Sequence, residues 1–145
     1  MTTTSTTSPA QARSGTSPLL WLLFLVAAGL MIASGAIHFH LWDIAYRNVP
    51  TLDVLFLIQG AACILGAIVL LVTRHLLIVV GCALLMAGTI VGFILAKTVG
   101  IFGFKLPFIS TEAWIVLVLE AAAVVVLAIT ALVTWRSAPR ATRLR

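Results

Sequence analysis

Three polar side chains interrupt the long apolar stretches of this chain: His38, Gln59 and Glu120. They stand out because 62% of the 145 residues are hydrophobic, and the whole sequence holds only four acidic residues and three histidines. A carboxyl group and an imidazole in apolar surroundings can bind a proton or hold the polar group of a ligand. The same side chains can also serve packing, because hydrogen bonds between neighbouring helices fix their register. The sequence leaves both interpretations open.

The spacing of these three residues places them at similar depths in a membrane. At ~1.5 Å per helical residue, Gln59 lies ~21 Å from Thr73 and Glu120 ~22 Å from Trp135. His38 lies ~29 Å along its own helix from Leu19. It is therefore higher than Glu120 by a distance that side chains or one water molecule can span. A charged carboxylate inside the membrane costs about 2.5 kcal/mol or more, so Glu120 is expected to face other helices. We predict a buried polar site of His38, Gln59 and Glu120, with Gln59 as the partner of Glu120.

A second polar group follows His38 along the chain. At the end of the first apolar stretch lie His40, Asp43, Tyr46 and Arg47. His40 lies about 200° around a helix from His38 and nearer to Asp43 at i+3, so the two histidines cannot hold one metal ion on a regular helix. No metal site is predicted. We expect these four residues at the outer interface, in contact with water and headgroups.

Four long apolar stretches must position these residues. Each is close to the roughly 20 residues that cross a ~30 Å hydrocarbon core, and in lipid such a segment folds as a helix because its backbone groups need internal partners. We predict transmembrane helices over residues 19–42, 52–73, 75–97 and 112–135. The predicted fold class is therefore all-α, a four-transmembrane-helix bundle formed by residues 19–135.

The basic residues predict the orientation of this bundle. With both termini in the cytoplasm, six of the nine Lys and Arg residues fall on the cytoplasmic side: Arg13, Arg74, Arg136, Arg140, Arg143 and Arg145. This asymmetry follows the positive-inside rule, so we expect a multi-pass protein of the plasma membrane with cytoplasmic N and C termini. Residues 1–18, rich in Thr and Ser, are predicted to form a disordered tail, and residues 136–145 a basic tail that meets anionic lipid.

Several classes of function have no support in the residues. The sequence contains no c-type haem motif, P-loop, HExxH or GxSxG, and no motif for binding nucleic acid, so neither a cofactor nor a nucleic-acid partner is assigned. A b-type haem would need His38 from two chains or a mixed ligand, because His75 is predicted on the opposite side of the membrane. The loops are too short for an extramembrane active site. A non-enzymatic protein is therefore favoured over an enzyme.

Small residues favour close contacts between helices. Gly88 and Gly92 have the GxxxG spacing on the third predicted helix, and Gln59, Ala62, Cys63 and Gly66 form a stripe on the second. Such faces pack within one chain or between copies. The partners compatible with this pattern are the lipid bilayer, a second copy of the chain, or a larger membrane complex.

Three segments carry a resemblance to known proteins: HLWDIAYRNVPTLDVLFLIQG, GIFGF and EAWIVLVLEAAAVVVLA. With them, the chain resembles small four-helix integral membrane proteins of high-GC Gram-positive bacteria. The resemblance covers the four predicted helices and leaves out both tails. It implies a bacterial plasma-membrane protein, and it brings no activity and no catalytic residue with it.

Two functional hypotheses follow from these observations. The leading one is a non-enzymatic accessory or assembly component of the plasma membrane, supported by the packing faces and the basic tail. The alternative is a small redox or proton-coupled transport component that binds a quinone, haem, metal ion or proton near the outer leaflet through His38, Gln59 and Glu120. The two hypotheses differ in whether Glu120 has a ligand.

Overall fold

The structure, a computed structural model, describes residues 17–106 and 109–137. Over these residues the chain folds as four long α-helices with one short π-helix. They are α1 (Pro18–Leu41), the π-helix (Trp42–Tyr46), α2 (Leu52–Thr73), α3 (Leu76–Thr98) and α4 (Thr111–Ser137). All four α-helices are long and apolar enough to cross a membrane. The predicted all-α fold with four membrane-spanning helices is confirmed.

The helices form a ring in which α1 and α3 lie diagonally opposite each other. Helix α1 packs extensively against α2 and α4, and α3 packs against α4, whereas α2 and α3 meet less closely. The buried centre is apolar, with Phe24, Met31, Leu70, Met86 and Leu127 among its largest side chains. The outer faces are also apolar, as required of helices that contact lipid.

The two ends of the bundle differ, and we name them by what they hold. The terminal end contains the start of α1 and the short turn at Arg74 and His75, which joins α2 to α3. There the guanidinium of Arg74 lies 4.0 Å above the ring of Trp21, and Ser17 caps α1 by accepting a hydrogen bond from the backbone of Leu20. The loop end contains residues 42–51, 99–106 and 109–110. The contact between Arg74 and Trp21 ties α1 to the α2–α3 hairpin at the terminal end.

At the loop end, helical structure continues further than the sequence suggested. Residues 43–51 were expected to be a loop, but the chain remains helical through Tyr46 because the backbone N–H of Arg47 donates to the carbonyl of Trp42, 2.8 Å away, in the wider π pattern. The connection between α3 and α4 contains a tight turn closed by two backbone hydrogen bonds between Ile101 and Phe104. Gly103, with φ +77°, supplies the left-handed conformation that this turn needs.

The closest approach of two helices joins α1 to α2. A Cβ atom on Gly35 would lie 2.9 Å from the carbonyl oxygen of Gly60, and one on Gly60 would lie 2.9 Å from the ring of Phe39. Only glycine allows the two backbones to come this near. This contact fixes the face of α1 that carries Ser34 and His38.

The two predicted tails lie almost entirely outside the described residues, since the described part of the chain begins at Ser17 and ends at Ser137. The predictions for residues 1–18 and 136–145 therefore stay predictions, as does the side of the membrane on which the termini lie.

Candidate functional site

Glu120 is the centre of the buried polar group. It lies on α4, and its side chain is completely buried among the helices. The hydroxyl of Ser34 donates to Glu120 Oε1 at 3.3 Å, and His38 Nε2 lies 3.8 Å from the same oxygen. Ser34 and His38 are four residues apart on α1, so they face α4 from the same side of their helix. The other carboxyl oxygen, Oε2, is buried without a hydrogen-bond partner among the described residues.

The ring of His38 is held in a defined orientation. Its Nδ1 lies 2.9 Å from the backbone carbonyl of Ser34. A carbonyl oxygen only accepts hydrogen bonds, so Nδ1 carries the hydrogen, and in the neutral ring Nε2 is left as an acceptor. At 3.8 Å, Nε2 and Glu120 Oε1 are too far apart for a direct hydrogen bond. Two acceptor atoms therefore face one space without bonding each other.

Gln59 lies near this pair but has other partners. Its amide donates to the hydroxyl of Thr89 on α3 and, at 3.5 Å, to the sulfur of Cys63. The hydroxyl of Thr89 in turn donates to the carbonyl of Leu85 at 3.0 Å. The expected hydrogen bond from Gln59 to Glu120 is thus replaced by a bridge from α2 to α3. The side chain of Gln59 points to α3 because that helix lies next to α2 in the ring, whereas α4 lies diagonally across it.

A cavity of about 510 Å³ brings the predicted residues together. We call it the α2–α3 cavity, because it fills the gap between these helices in the half of the bundle nearest the loop end. Its polar lining consists of His38, Tyr46, Gln59, Thr89 and Glu120. All three members of the predicted buried site therefore contact one space, although only His38 and Glu120 are close to each other.

Glycine and aromatic residues shape this cavity. Gly88 and Gly92 of α3 line it, and a Cβ atom at either position would meet nothing within 4 Å. On the opposite side the ring of Tyr46 stacks on Phe56, with centroids 4.2 Å apart, and Phe56 lies 5.4 Å from the ring of His38. The cavity thus has an open glycine face and an aromatic wall that leads to the histidine.

Part of the cavity lining is exposed on the outside of the bundle. Among its lining residues, Leu55 of α2 is 37% exposed and Leu84 of α3 is 68% exposed. Both lie on helices that are long and apolar enough to span the membrane. In a membrane, exposed apolar side chains on such helices face the hydrocarbon of the bilayer.

The four residues predicted at the outer interface separate into two groups. Asp43 and Arg47 form an exposed ion pair of 3.4 Å, and His40 is also exposed at the loop end. Such an exposed pair contributes little to stability. Tyr46 differs from these three, because its half-buried ring stacks on Phe56 and lines the α2–α3 cavity. The π-helix that ends at Tyr46 accounts for this difference, since its wider turn departs from the regular helical spacing.

Sequence reasoning missed part of the site. The predicted site did not include Ser34, whose hydroxyl donates to Glu120 and whose backbone carbonyl orients the ring of His38. Its spacing of four residues before His38 is the signal that could have identified it. Phe56 and Thr89 gave no such signal, because aromatic and hydroxyl residues are common in membrane helices.

The donor set offers little to a metal ion. Among the described residues, no three His, Cys, Asp or Glu side chains lie close enough together to hold one. The cavity presents one histidine and one carboxyl group. These groups can form hydrogen bonds or exchange a proton.

Comparison with protein families, with characterised proteins and with solved structures finds no match to this chain. The functional argument therefore depends on the geometry of the site.

Proposed function

We propose that this protein is a small multi-pass protein of the plasma membrane, with both termini in the cytoplasm, that binds a small and largely apolar molecule in the α2–α3 cavity. One observation carries the proposal: a cavity of about 510 Å³, walled by apolar side chains, has the buried carboxyl group of Glu120 in its lining. Small-molecule sites typically have this volume and this combination of an apolar wall with a few converging polar groups.

The arrangement around Glu120 favours binding over a purely structural role. A carboxyl group that only fixed helix register would have both oxygens satisfied by neighbouring helices, because a buried unpaired acceptor costs about 1–3 kcal/mol. Oε1 accepts from Ser34, but Oε2 has no partner among the described residues. A ligand with a polar group would offset this cost. The proposal is therefore binding, with no bond-making step assigned.

A second candidate, assembly with another membrane protein or a second copy, has support from α3. Less of this helix is buried than of any other membrane-span candidate in the described chain. At Gly81 on its exposed face, a Cβ atom would meet nothing within 4 Å, and Leu77 and Leu84 are exposed on either side. Such a face suits contact with another helix. Gly81 is absent from the cavity lining, so the two functions can be separated by mutation.

The matched variants Gly88→Leu and Gly81→Leu distinguish the two functions. Both positions are on α3 and have free space around them, but only Gly88 lines the cavity. The tagged full-length protein would be extracted from its own membrane, and the small molecules that co-purify identified by mass spectrometry. We expect a lipophilic molecule with the wild type, retained by Gly81→Leu and depleted at least about tenfold by Gly88→Leu, a loss of about 1.4 kcal/mol of binding free energy.

The opposite pattern would support assembly. No bound molecule in the wild type, or one that Gly88→Leu leaves in place, would contradict binding in the cavity. If Gly81→Leu alone then abolished a homo-oligomer or a complex seen in native mass spectrometry, assembly would become the proposed role.

A further inference from the structure

Within the proposed binding function, the geometry points to a ligand that donates a hydrogen bond: we infer that the α2–α3 cavity takes a lipophilic molecule with a hydroxyl group on an aromatic ring, such as a phenol or a hydroquinone. The O–H group would enter between Glu120 and His38, and the ring would lie along Phe56 and Tyr46. The inference rests on the proposed function, because it names the chemical class of that ligand.

The hydrogen-bonding atoms at this end of the cavity are mostly acceptors. The hydroxyl hydrogen of Ser34 is directed to Glu120 Oε1, and the Nδ1 hydrogen of His38 to the carbonyl of Ser34. This leaves Glu120 Oε2 and His38 Nε2 without a hydrogen-bond donor among the described residues, and both accept hydrogen bonds when the carboxyl group is ionised and the ring is neutral. The amide of Gln59 is also occupied, since it donates to Thr89. A hydroxyl donor complements such a site, and a ligand that only accepts does not.

The distances allow one oxygen atom to contact both residues. His38 Nε2 and Glu120 Oε1 are 3.8 Å apart, too far for a bond to each other. A hydroxyl oxygen about 2.8 Å from a carboxyl oxygen of Glu120 would also be within reach of His38 Nε2. When the carboxyl group of Glu120 is ionised, a hydrogen bond from the ligand to it is charge-assisted and therefore strong.

The wall beside this position favours a planar group. The stacked rings of Phe56 and Tyr46 adjoin His38, and the ring of Phe104 lies edge-on to Tyr46 with centroids 6.0 Å apart. Aromatic rings pack well against one another in offset or edge-on arrangements. A hydroxyl-bearing ring therefore complements both the polar atoms of Glu120 and His38 and the aromatic wall, whereas an aliphatic alcohol complements only the polar atoms.

The test compares two probes that differ at a single group: 2-fluoro-4-octylphenol and its methyl ether, 2-fluoro-4-octylanisole. Each is added to the full-length protein in lipid nanodiscs, and binding is measured by ¹⁹F NMR against nanodiscs without protein. We expect the phenol to bind at least about tenfold more tightly than the ether, as a hydrogen bond to a charged group predicts. Glu120→Gln should reduce this preference to about threefold or less, and Glu112→Gln, on the same helix but outside the α2–α3 cavity, should leave it unchanged.

Ser34→Ala provides a second variant that changes the volume of the bundle very little. It frees Glu120 Oε1 to accept from the probe, so the preference for the phenol should be kept or increased. Equal binding of the two probes to the wild type, tighter binding of the ether, or no binding of either would overturn the inference. The proposed function is tested separately by the co-purifying molecule and Gly88→Leu, so it would survive such a result if that molecule were an ether, ketone or hydrocarbon.

Discussion

Helix α2 packs closely against α1 but only loosely against α3. On the side of α1, the glycines at 35 and 60 bring two backbones so near that a Cβ atom on Gly35 would lie 2.9 Å from a carbonyl oxygen. On the side of α3, the glycines at 88 and 92 face open space, and a Cβ atom at either would meet nothing within 4 Å. The same residue type thus serves contact in one interface and leaves a cavity in the other.

The two interfaces of α2 have different roles in the proposed site: one positions the polar residues and the other provides space for a ligand. The tight α1–α2 contact fixes the helix that carries Ser34 and His38, and α4 presents Glu120 to them. The loose α2–α3 interface provides the volume beside that cluster. The GxxxG spacing of Gly88 and Gly92 therefore marks no close helix contact within the described residues, because no other backbone lies opposite these glycines.

The largest effect is expected from adding one methyl group to the tight interface. Gly35→Ala would place a Cβ atom against the backbone of Gly60, which cannot move as a flexible side chain can. We expect a loss of about 1–3 kcal/mol in the free energy of unfolding, the usual cost of overpacking. The measurement is reversible unfolding of the protein in mixed detergent micelles. Gly29→Ala on the same helix is the matched control, since a Cβ atom there meets nothing within 4 Å. A Gly35→Ala variant as stable as the wild type would mean that α1 and α2 are further apart.

A glycine-to-alanine substitution at the α2–α3 interface should change the free energy of unfolding in the opposite direction. Gly88→Ala adds a Cβ atom that meets no neighbour, so the helical preference of alanine should raise the free energy of unfolding by about 0.5–1 kcal/mol. The same unfolding assay measures it. A clear destabilisation would show that α3 lies against another helix at this position and would argue against the cavity.

The polar bridge across the loose interface should contribute somewhat less. Gln59 donates to Thr89, and a hydrogen bond between membrane helices is worth about 0.6 kcal/mol on average. A double-mutant cycle with Gln59→Leu and Thr89→Val should return a coupling energy of this size. A coupling near zero would mean that the two side chains are not paired. Gln59→Leu with Thr130→Val on α4 serves as a comparison, because the hydroxyl of Thr130 donates to its own helix, to the carbonyl of Val126.

The smallest effect is expected at the loop end. Asp43→Asn removes an ion pair whose two side chains are more than half exposed, so the unfolding free energy should change by no more than about 0.5 kcal/mol. Because such pairs are screened by salt, the change should shrink further as ionic strength rises. A larger or salt-independent effect would mean that this segment packs against something in the membrane-bound protein.

Hydropathy alone predicts the number of membrane-spanning helices, because the bilayer imposes the length and composition of each one. Depth counting also predicted that His38 and Glu120 lie near each other, because their side chains can span the difference in depth. It failed for Gln59, because depth does not determine which neighbouring helix a side chain meets. Tyr46 was expected in a loop at the outer interface, and no residue pattern indicated the π-helix that places it in the lining of the cavity. The cavity could not be predicted at all, since it follows from the distance between α2 and α3 rather than from any one residue.

The exposed apolar part of the cavity lining, at Leu55 and Leu84, has a consequence for how such a site would be occupied. A molecule that enters there is already dissolved in the bilayer, where partitioning concentrates even a single fatty chain by an association constant of about 10⁴ M⁻¹. Occupancy then depends on the mole fraction of the ligand among lipids, and a site of modest intrinsic affinity can be filled. Every lipid tail offers the same apolar contacts in competition. Discrimination among membrane components would therefore fall to the few polar atoms around Glu120.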